Sequence, residues 1–333
     1  MKIQQNVNLK TYNTFGVTAT AEHFATLSHR DDFAHILNAF DSDTPRHVLG
    51  GGSNVLLTED LTGIVIHNQI KGIERVAETD HDVTLRVGAG EVWHHLVEHS
   101  LQQQWHGLEN LSLIPGYVGA AAIQNIGAYG VEFSSVLQSL NAIDLISGQP
   151  YQFSRSDCQL GYRDSVFKHA WRNRVLITDV TLTLSKQAHY NLEYQALQQH
   201  LQQHQISINQ RNISDAVIAI RTSKLPAPEH IGNAGSFFKN PTINTQQLNA
   251  LRQRYPQLPH YRVSTADHKI PAAWLIEQAG LKGKAHGNTG THHQQAVVLI
   301  NRGQASGKEI AAFSRHVQQR VQDQFQIQLE AEV

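Results

Sequence analysis

A single cysteine, Cys158, is all that 333 residues contain, so no internal disulfide can form and a reducing compartment is indicated. Long apolar runs are missing as well. Nowhere do about eighteen apolar residues follow one another, and the opening MKIQQNVNLKTYNTF lacks the apolar core of a secretory leader. The default reading is a cytoplasmic protein that does not enter the membrane. Charge of either sign is in no excess: Lys+Arg 27 against Asp+Glu 28 gives a net −1, too little field to recruit nucleic acid or an acidic membrane. The two common nucleotide loops, G-x-G-x-x-G and G-x-x-x-x-G-K-[ST], are absent, and so is the G-x-S-x-G turn that displays a nucleophilic serine. Internal repeats and coiled-coil heptads are also absent. What remains, 40% hydrophobic and 17% charged residues, is a globular composition in a chain long enough for two or three cores.

The most unusual stretch that is present is 111–130, LSLIPGYVGAAAIQNIGAYG. It has four glycines, three consecutive alanines and no charged side chain. Small residues at that density let a backbone come close to something, and glycine leaves φ free and the N–H exposed. A second cluster, Gly50-Gly51-Gly52-Ser53-Asn54, lies upstream. A tight turn explains one glycine but not three in succession, and successive N–H groups in such a loop form a nest suited to a pyrophosphate. Both stretches are expected to enclose one cofactor.

Coarse periodicity organises the rest. Residues 31–40 read as a helix, with Phe33, Ile36, Leu37 and Phe40 on one face. The order 48–49, GGGSN, 55–57 reads as strand, glycine turn, strand, and 64–66 as another short strand. Residues 83–87 alternate as a strand that leads through Gly88-Ala89-Gly90 into a helix near Glu91. Residues 137–146 and 174–184 are further strands. Residues 195–210 read as a polar helix and connector, and a boundary is expected near 200–214, with Ser214 capping a helix that runs to Arg221. Beyond it, Pro271 opens a helix closed by Gly280, 296–300 is a strand, and Ser306 caps a helix over 308–324. Ile327, Leu329, Ala331 and Val333 alternate in a closing strand. The domains are thus 1–70, to which 325–333 could return, then 71–213 and 214–324.

Other motifs are weighed against plainer readings. His95, Glu98 and His99 match H-x-x-E-H, but 21 histidines make chance matches common, the helix needs Val92, Leu96 and Val97 for its core face, and no third ligand is evident. His292-His293 lacks metal-site spacing, so no metal is expected. Arg163 in GYRDS reads on its own as half of an exposed pair with Asp164. Ser236, in NAGSFFKNP, is either part of a turn or a hydroxyl displayed on a loop. Lys224 beside Pro226 and Pro228, and Glu330 between Gln328 and Glu332, would ordinarily be surface charges.

As an ordered set, GGGSN, IPGYVGAAAIQNIGAYG, YRDS, RTSKLP, GNAGSFFKNP and AAWLIEQAGLKG resemble the UDP-N-acetylenolpyruvoylglucosamine reductase family in its type I form, from Asn13-Thr14-Phe15 to Glu330. The resemblance implies an α+β fold: an FAD-binding domain of the vanillyl-alcohol-oxidase type in two subdomains, plus a C-terminal substrate domain. It implies non-covalent FAD, with Gly50, Gly51, Gly52, Ser53 and Asn54 at its pyrophosphate. Ile114, Pro115, Gly116, Gly119, Ala120, Gln124, Asn125 and Gly127 would run along the pyrophosphate and ring. NADPH would reduce the flavin, whose N5 would pass a hydride to the vinyl carbon of UDP-N-acetylglucosamine enolpyruvate. Ser236 would then protonate the carbanion, with Arg163 and Glu330 at the carboxylate, and Lys224, Asn240 and Tyr194 would hold the substrate. A monomer is expected. The chain stops at Val333, so fraying of that end is expected to loosen Glu330. A flavin oxidase of the same fold and a nucleotide-sugar-binding protein without catalysis are the alternatives. The RTSKLP and GSFFKNP motifs argue against the first, and the full Arg163, Ser236 and Glu330 set against the second.

Overall fold

Alternating apolar and polar residues lay down the longer strands. In Val175–Ser185 the side chains of Val180, Leu182 and Leu184 are buried while Thr181 and Thr183 between them are only partly so. The computed structural model describes residues 1–333, which fall into two compact units.

Unit 1 comprises Met1–Val7, Thr20–Gly52 and Asp60–Ser223. Its first sheet runs in the order Ile3–Asn8, Thr20–Leu27, Leu61–Asn68, Arg46–Leu49, with Leu61–Asn68 parallel to both of its neighbours. Helix α1 (Phe33–Ala39) buries Phe33 and Ile36 against Leu27, Ile64 and Ile66 of that sheet. The second sheet is antiparallel, ordered Pro150–Ser154, Leu137–Asp144, Val175–Ser185, Asp82–Gly88, Ile73–Glu78. Helices α2 (Trp93–Gln102) and α3 (Val118–Ile123) cover it with Trp93, Leu96, Val97, Val118 and Ala122. Truncating a buried aromatic such as Trp93 costs about 3–5 kcal/mol in a packed core of this kind. Helices α4 (Gln195–Gln203) and α5 (Gln210–Lys224) share a smaller cluster of Leu197, Leu201, Ile213 and Val217.

Unit 2 comprises Asn8–Ala19, Ser53–Glu59 and Lys224–Val333. Helices α6 (Thr245–Arg254), α7 (Ala272–Gln278) and α8 (Gly307–Phe325) enclose a core of Phe237, Phe238, Leu275, Ile276, Phe313, Val317, Ile327 and Leu329. Two early segments join the C-terminal third for specific reasons. Asn301 Nδ2 donates to Phe15 O at 2.9 Å, Asn233 N to Thr14 O at 3.0 Å, and Gly307, which lacks a Cβ, lets α8 sit on the Leu57 carbonyl. As expected, Ser306 caps α8, and Glu309 closes a capping box.

Four details differ from the sequence reading. Ser214 caps nothing: it is buried inside α5 with its Oγ 2.8 Å from Ser112 Oγ, and Asn209, which accepts from Asn212 N at 2.9 Å, occupies the start of the helix. The helix therefore crosses 214 unbroken, and the units divide at its C-terminal end, between Ser223 and Lys224. Residues 55–57 form no strand, because Leu56 and Leu57 pack into the unit 2 core instead. The closing residues stay in unit 2 rather than with 1–70. Lys239 N donates to Glu330 O and Glu332 N to Phe237 O, both at 2.9 Å, and Gln318 Nε2 and Asn54 Nδ2 hold Leu329 O and Glu332 O. With Ile327 and Leu329 buried beneath it, this end is tied down, not frayed.

Candidate functional site

In unit 1 the two glycine stretches meet. A Cβ on Gly51 would stand 3.1 Å from Gly116 Cα and 3.3 Å from the Tyr117 ring, and one on Gly50 would stand 3.6 Å from the same ring. Gly52 and Gly116 take φ of +61° and +108°, conformations open to glycine at no steric cost. Gly50 and Gly51, both half-buried, present N–H groups that donate to no backbone carbonyl. An uncommitted pair of amides in a side-chain-free loop fits an anionic guest such as a pyrophosphate. Ser53 and Asn54, which continue the motif, belong to unit 2.

The 111–130 segment is braced from behind. Gly119 N donates to Ala89 O, Val118 N to Glu91 O and Trp93 N to Gly116 O, each at 2.9 Å. A Cβ on Gly119 would come to 2.6 Å from Ala89 Cβ, so only glycine lets α3 lie on the Gly88-Ala89-Gly90 turn. Tyr117 OH accepts from Gln69 Nε2 at 2.8 Å, and its ring stacks 6.2 Å from His67, whose imidazole burial and nearby Lys71 hold below its ordinary value. Asn125 is buried in a left-handed conformation, φ +44°. Its Nδ2 donates to Glu132 Oε2 and Gly161 O, and its Oδ1 accepts from Ser134 N, all at 2.9 Å. That side chain shapes the segment's backbone. Ile114, Ala120 and Gln124 are partly exposed along the same segment, and Pro115 is exposed.

Arg163 reaches this segment from a two-residue turn in which Gly161 and Asp164 exchange backbone hydrogen bonds. Its φ is +54°, and its guanidinium donates to Asn125 O at 3.2 Å and to Gly127 O. Gly127 has no room for a Cβ beside Arg163 Nη1, 2.9 Å away. Asp164 meanwhile engages His169 Nε2 at 2.8 and 2.9 Å. Tyr194 is the N-cap residue of α4, exposed on one side, with its ring 5.2 Å from Tyr129. Sequence reasoning passed over Arg221, although it lies inside the RTSKLP motif. Its Nε is buried without a hydrogen-bond partner; burial, with Arg163 adding repulsion, lowers its pKa. Burial pushes the nearby Tyr129 hydroxyl up, opposed by Arg221. Two guanidinium groups beside an uncharged segment favour an anionic guest.

Unit 2 carries the other predicted residues. Ser236 is exposed, follows Gly235 at φ +71°, and its hydroxyl makes no hydrogen bond within the protein. Glu330 is opposite Lys239 and bonded to it, Oε1 to Nζ 2.6 Å. Asn240 Oδ1 accepts from Ala272 N at 2.9 Å, capping α7, which leaves its amide N–H groups for a ligand. Lys224 is exposed. In unit 1, the H-x-x-E-H residues lie on α2, where Glu98 takes Arg211 at 2.9 Å and His99 packs edge-on to Trp105. No group of three or more potential ligands could hold a metal ion, and no helix is long and apolar enough to cross a membrane.

Both halves of the chain are similar to known proteins. Residues 21–153 match the family described as FAD binding domain, and 227–333 match that described as UDP-N-acetylenolpyruvoylglucosamine reductase, C-terminal domain. Curated proteins named UDP-N-acetylenolpyruvoylglucosamine reductase are similar over full length. Those of Amoebophilus asiaticus and Chromobacterium violaceum are each 44% identical, covering 100% of this chain and 99% and 98% of theirs. That of Bacteroides fragilis is 42% identical, covering 99% of both. The crystal structure of UDP-N-acetylenolpyruvylglucosamine reductase from Thermus caldophilus shares the fold, with TM-score 0.67 and 24% identity over 100% of this chain and 98% of that one. The fold is thus the expected α+β arrangement, an FAD-binding domain followed by a C-terminal domain. With full-length identity at this level, the chain belongs to the UDP-N-acetylenolpyruvoylglucosamine reductase family.

Proposed function

We propose that this chain is an NADPH-dependent flavoenzyme that reduces the enolpyruvyl ether of UDP-N-acetylglucosamine enolpyruvate to UDP-N-acetylmuramate, a cytoplasmic step in peptidoglycan precursor synthesis. The observation that carries this reading is the exposed, unbonded Ser236 hydroxyl on the ribbon that also bears Glu330, in a chain 44% identical to curated reductases over its length. Bound FAD supplies the hydride, which it receives from NADPH.

The chain's own residues bind, orient and move the proton. The N–H groups of 50–52, with Ser53 and Asn54, hold the cofactor's pyrophosphate. Ile114, Pro115, Gly116, Gly119, Ala120, Gln124 and Gly127 line it, and Asn125 fixes the backbone they share. Lys224, the amide of Asn240 and Tyr194 hold the sugar nucleotide. Hydride addition at the vinyl carbon leaves negative charge at the carbon beside the carboxylate. Arg163, immobilised by two carbonyls, offers a fixed cation to that charge; one such preorganised donor is worth about 2.7–4 kcal/mol when lost. Ser236 Oγ–H gives its proton to the same carbon. A hydroxyl is a very weak acid at neutral pH, but a carbanion is basic enough to take its proton once the two are positioned. Glu330 stands at the substrate carboxylate and helps to orient it.

The test is anaerobic. Purified protein absorbs near 450 nm as flavins do, NADPH bleaches it, and added UDP-N-acetylglucosamine enolpyruvate restores the colour. A reduced protein that this compound does not reoxidise would sink the assignment and favour an oxidase of the same fold.

A further inference from the structure

Lys239 has no role so far, yet it is the better fixed half of the ion pair with Glu330. Its side chain is 13% exposed, against 71% for Glu330, so packing along its stem holds the ammonium in place while the carboxylate stands in solvent. The two residues face each other across a short ribbon. Lys239 N donates to Glu330 O, Phe238 bridges Ala331, and Glu332 N donates to Phe237 O. Directly opposed residues on such a ribbon place their side chains together, and here Nζ and Oε1 are 2.6 Å apart. Ser236 stands three residues earlier in the chain, leading into this ribbon.

A bare carboxylate at the position of Glu330 would do two unhelpful things. An exposed glutamate samples several rotamers, and its negative charge repels any substrate that carries a carboxylate of its own. An ammonium on its other oxygen corrects both. Only Oε1 takes the lysine, which leaves Oε2 for a second partner. We propose that Lys239 is a positioning residue for the substrate half-reaction: it fixes the Glu330 carboxylate on the ribbon that carries Ser236 and offsets its charge so that a carboxylate-bearing enolpyruvyl ether can approach. The proposal rests on the reading that Glu330 acts on substrate.

The test is a double-mutant cycle on FAD-loaded protein, with the two half-reactions timed separately by anaerobic stopped flow. Lys239→Met slows substrate-driven flavin reoxidation by about tenfold to a hundredfold, the range expected when a reacting group is misplaced. Reduction by NADPH falls far less. The Lys239→Met/Glu330→Gln double variant is no slower than Glu330→Gln alone, and Lys239→Arg, which keeps the cation, recovers most of the rate. Thermal melts and flavin content check that each variant is folded, and if Lys239→Met is not, Lys239→Gln takes its place in the cycle. Effects of Lys239→Met and Glu330→Gln that multiply would overturn the proposal, as would an unaffected reoxidation rate in Lys239→Met. If Glu330→Gln alone leaves reoxidation unchanged, the parent reading of Glu330 has failed and the proposal falls with it.

Discussion

The segment 111–130 and the ribbon of 236–239 with 330–332 are built on opposite principles. The first has no charged side chain, and its polar atoms answer to the protein: Asn125 makes three internal bonds, and Gly116, Asn125 and Gly127 offer carbonyls to Trp93 and Arg163. The second leaves the Ser236 hydroxyl unbonded and half of the Glu330 carboxylate open. One is fitted closely to its neighbours, as the proposed seat for a cofactor must be if it is to be rigid. The other leaves the Ser236 hydroxyl and one Glu330 oxygen uncommitted, which is what the proposed proton transfer demands. Substitutions should therefore separate cleanly into those that lose the cofactor and those that lose the chemistry.

The largest effect is expected at Gly119. In Gly119→Val the new Cβ meets Ala89 at 2.6 Å, and α3 must leave the turn beneath it. Overpacking of this kind costs about 1–3 kcal/mol, and the flavin content of the purified variant should fall close to zero. Full flavin occupancy would mean that the close approach is not what seats the cofactor. Asn125→Ala comes next. It strips partners from Ser134 N–H and Gly161 C=O and leaves alanine at φ +44°, for an expected loss of about 1–3 kcal/mol in urea unfolding and weaker flavin retention. An unchanged unfolding midpoint would remove Asn125 from the bracing. A gentler contribution comes from His67, stacked under Tyr117. Its folded pKa is depressed below 6.5 by burial and by Lys71, so the unfolded chain takes up a proton that the folded chain resists. This stability is fully present above pH 6.5 and is lost as pH falls through that value toward the lower folded one. His67→Gln should flatten the melting temperature between pH 7 and pH 5, about the span where histidines titrate; the same slope in both proteins would assign the acid sensitivity elsewhere.

How much of this could be read from residues alone depends on what each residue answers to. The glycine nest and the 111–130 segment were legible because small side chains at that density serve little purpose besides close backbone approach, and the meeting of Gly51 with Gly116 follows from what neither of them carries. The capping of α8 by Ser306 was legible because its partner Glu309 is three residues away. Ser214 misled for the converse reason: the hydroxyl that satisfies it belongs to Ser112, 102 residues earlier, and local grammar cannot see so far. The same distance hid the pairing of Lys239 with Glu330 and the anchoring of the last residues, which local pattern alone leaves free to fray. Asp164 read from local pattern only as a neighbour of Arg163, whereas its carboxylate also reaches His169, five residues on, a contact that the turn between Gly161 and Asp164 sets up. Arg221 sat unremarked inside a recognised motif, because burial of an arginine is a property of the packed unit and not of its sequence neighbours.

The division between a seat and a reacting ribbon is tested most directly at Ser236, by timing the two half-reactions of Ser236→Ala separately. The hydroxyl is exposed and unbonded, so the variant should fold, bind FAD and accept electrons from NADPH as the unaltered protein does, while reoxidation by UDP-N-acetylglucosamine enolpyruvate falls by about a hundredfold or more, in line with the loss of a positioned proton donor. Equal slowing of both half-reactions would contradict the account.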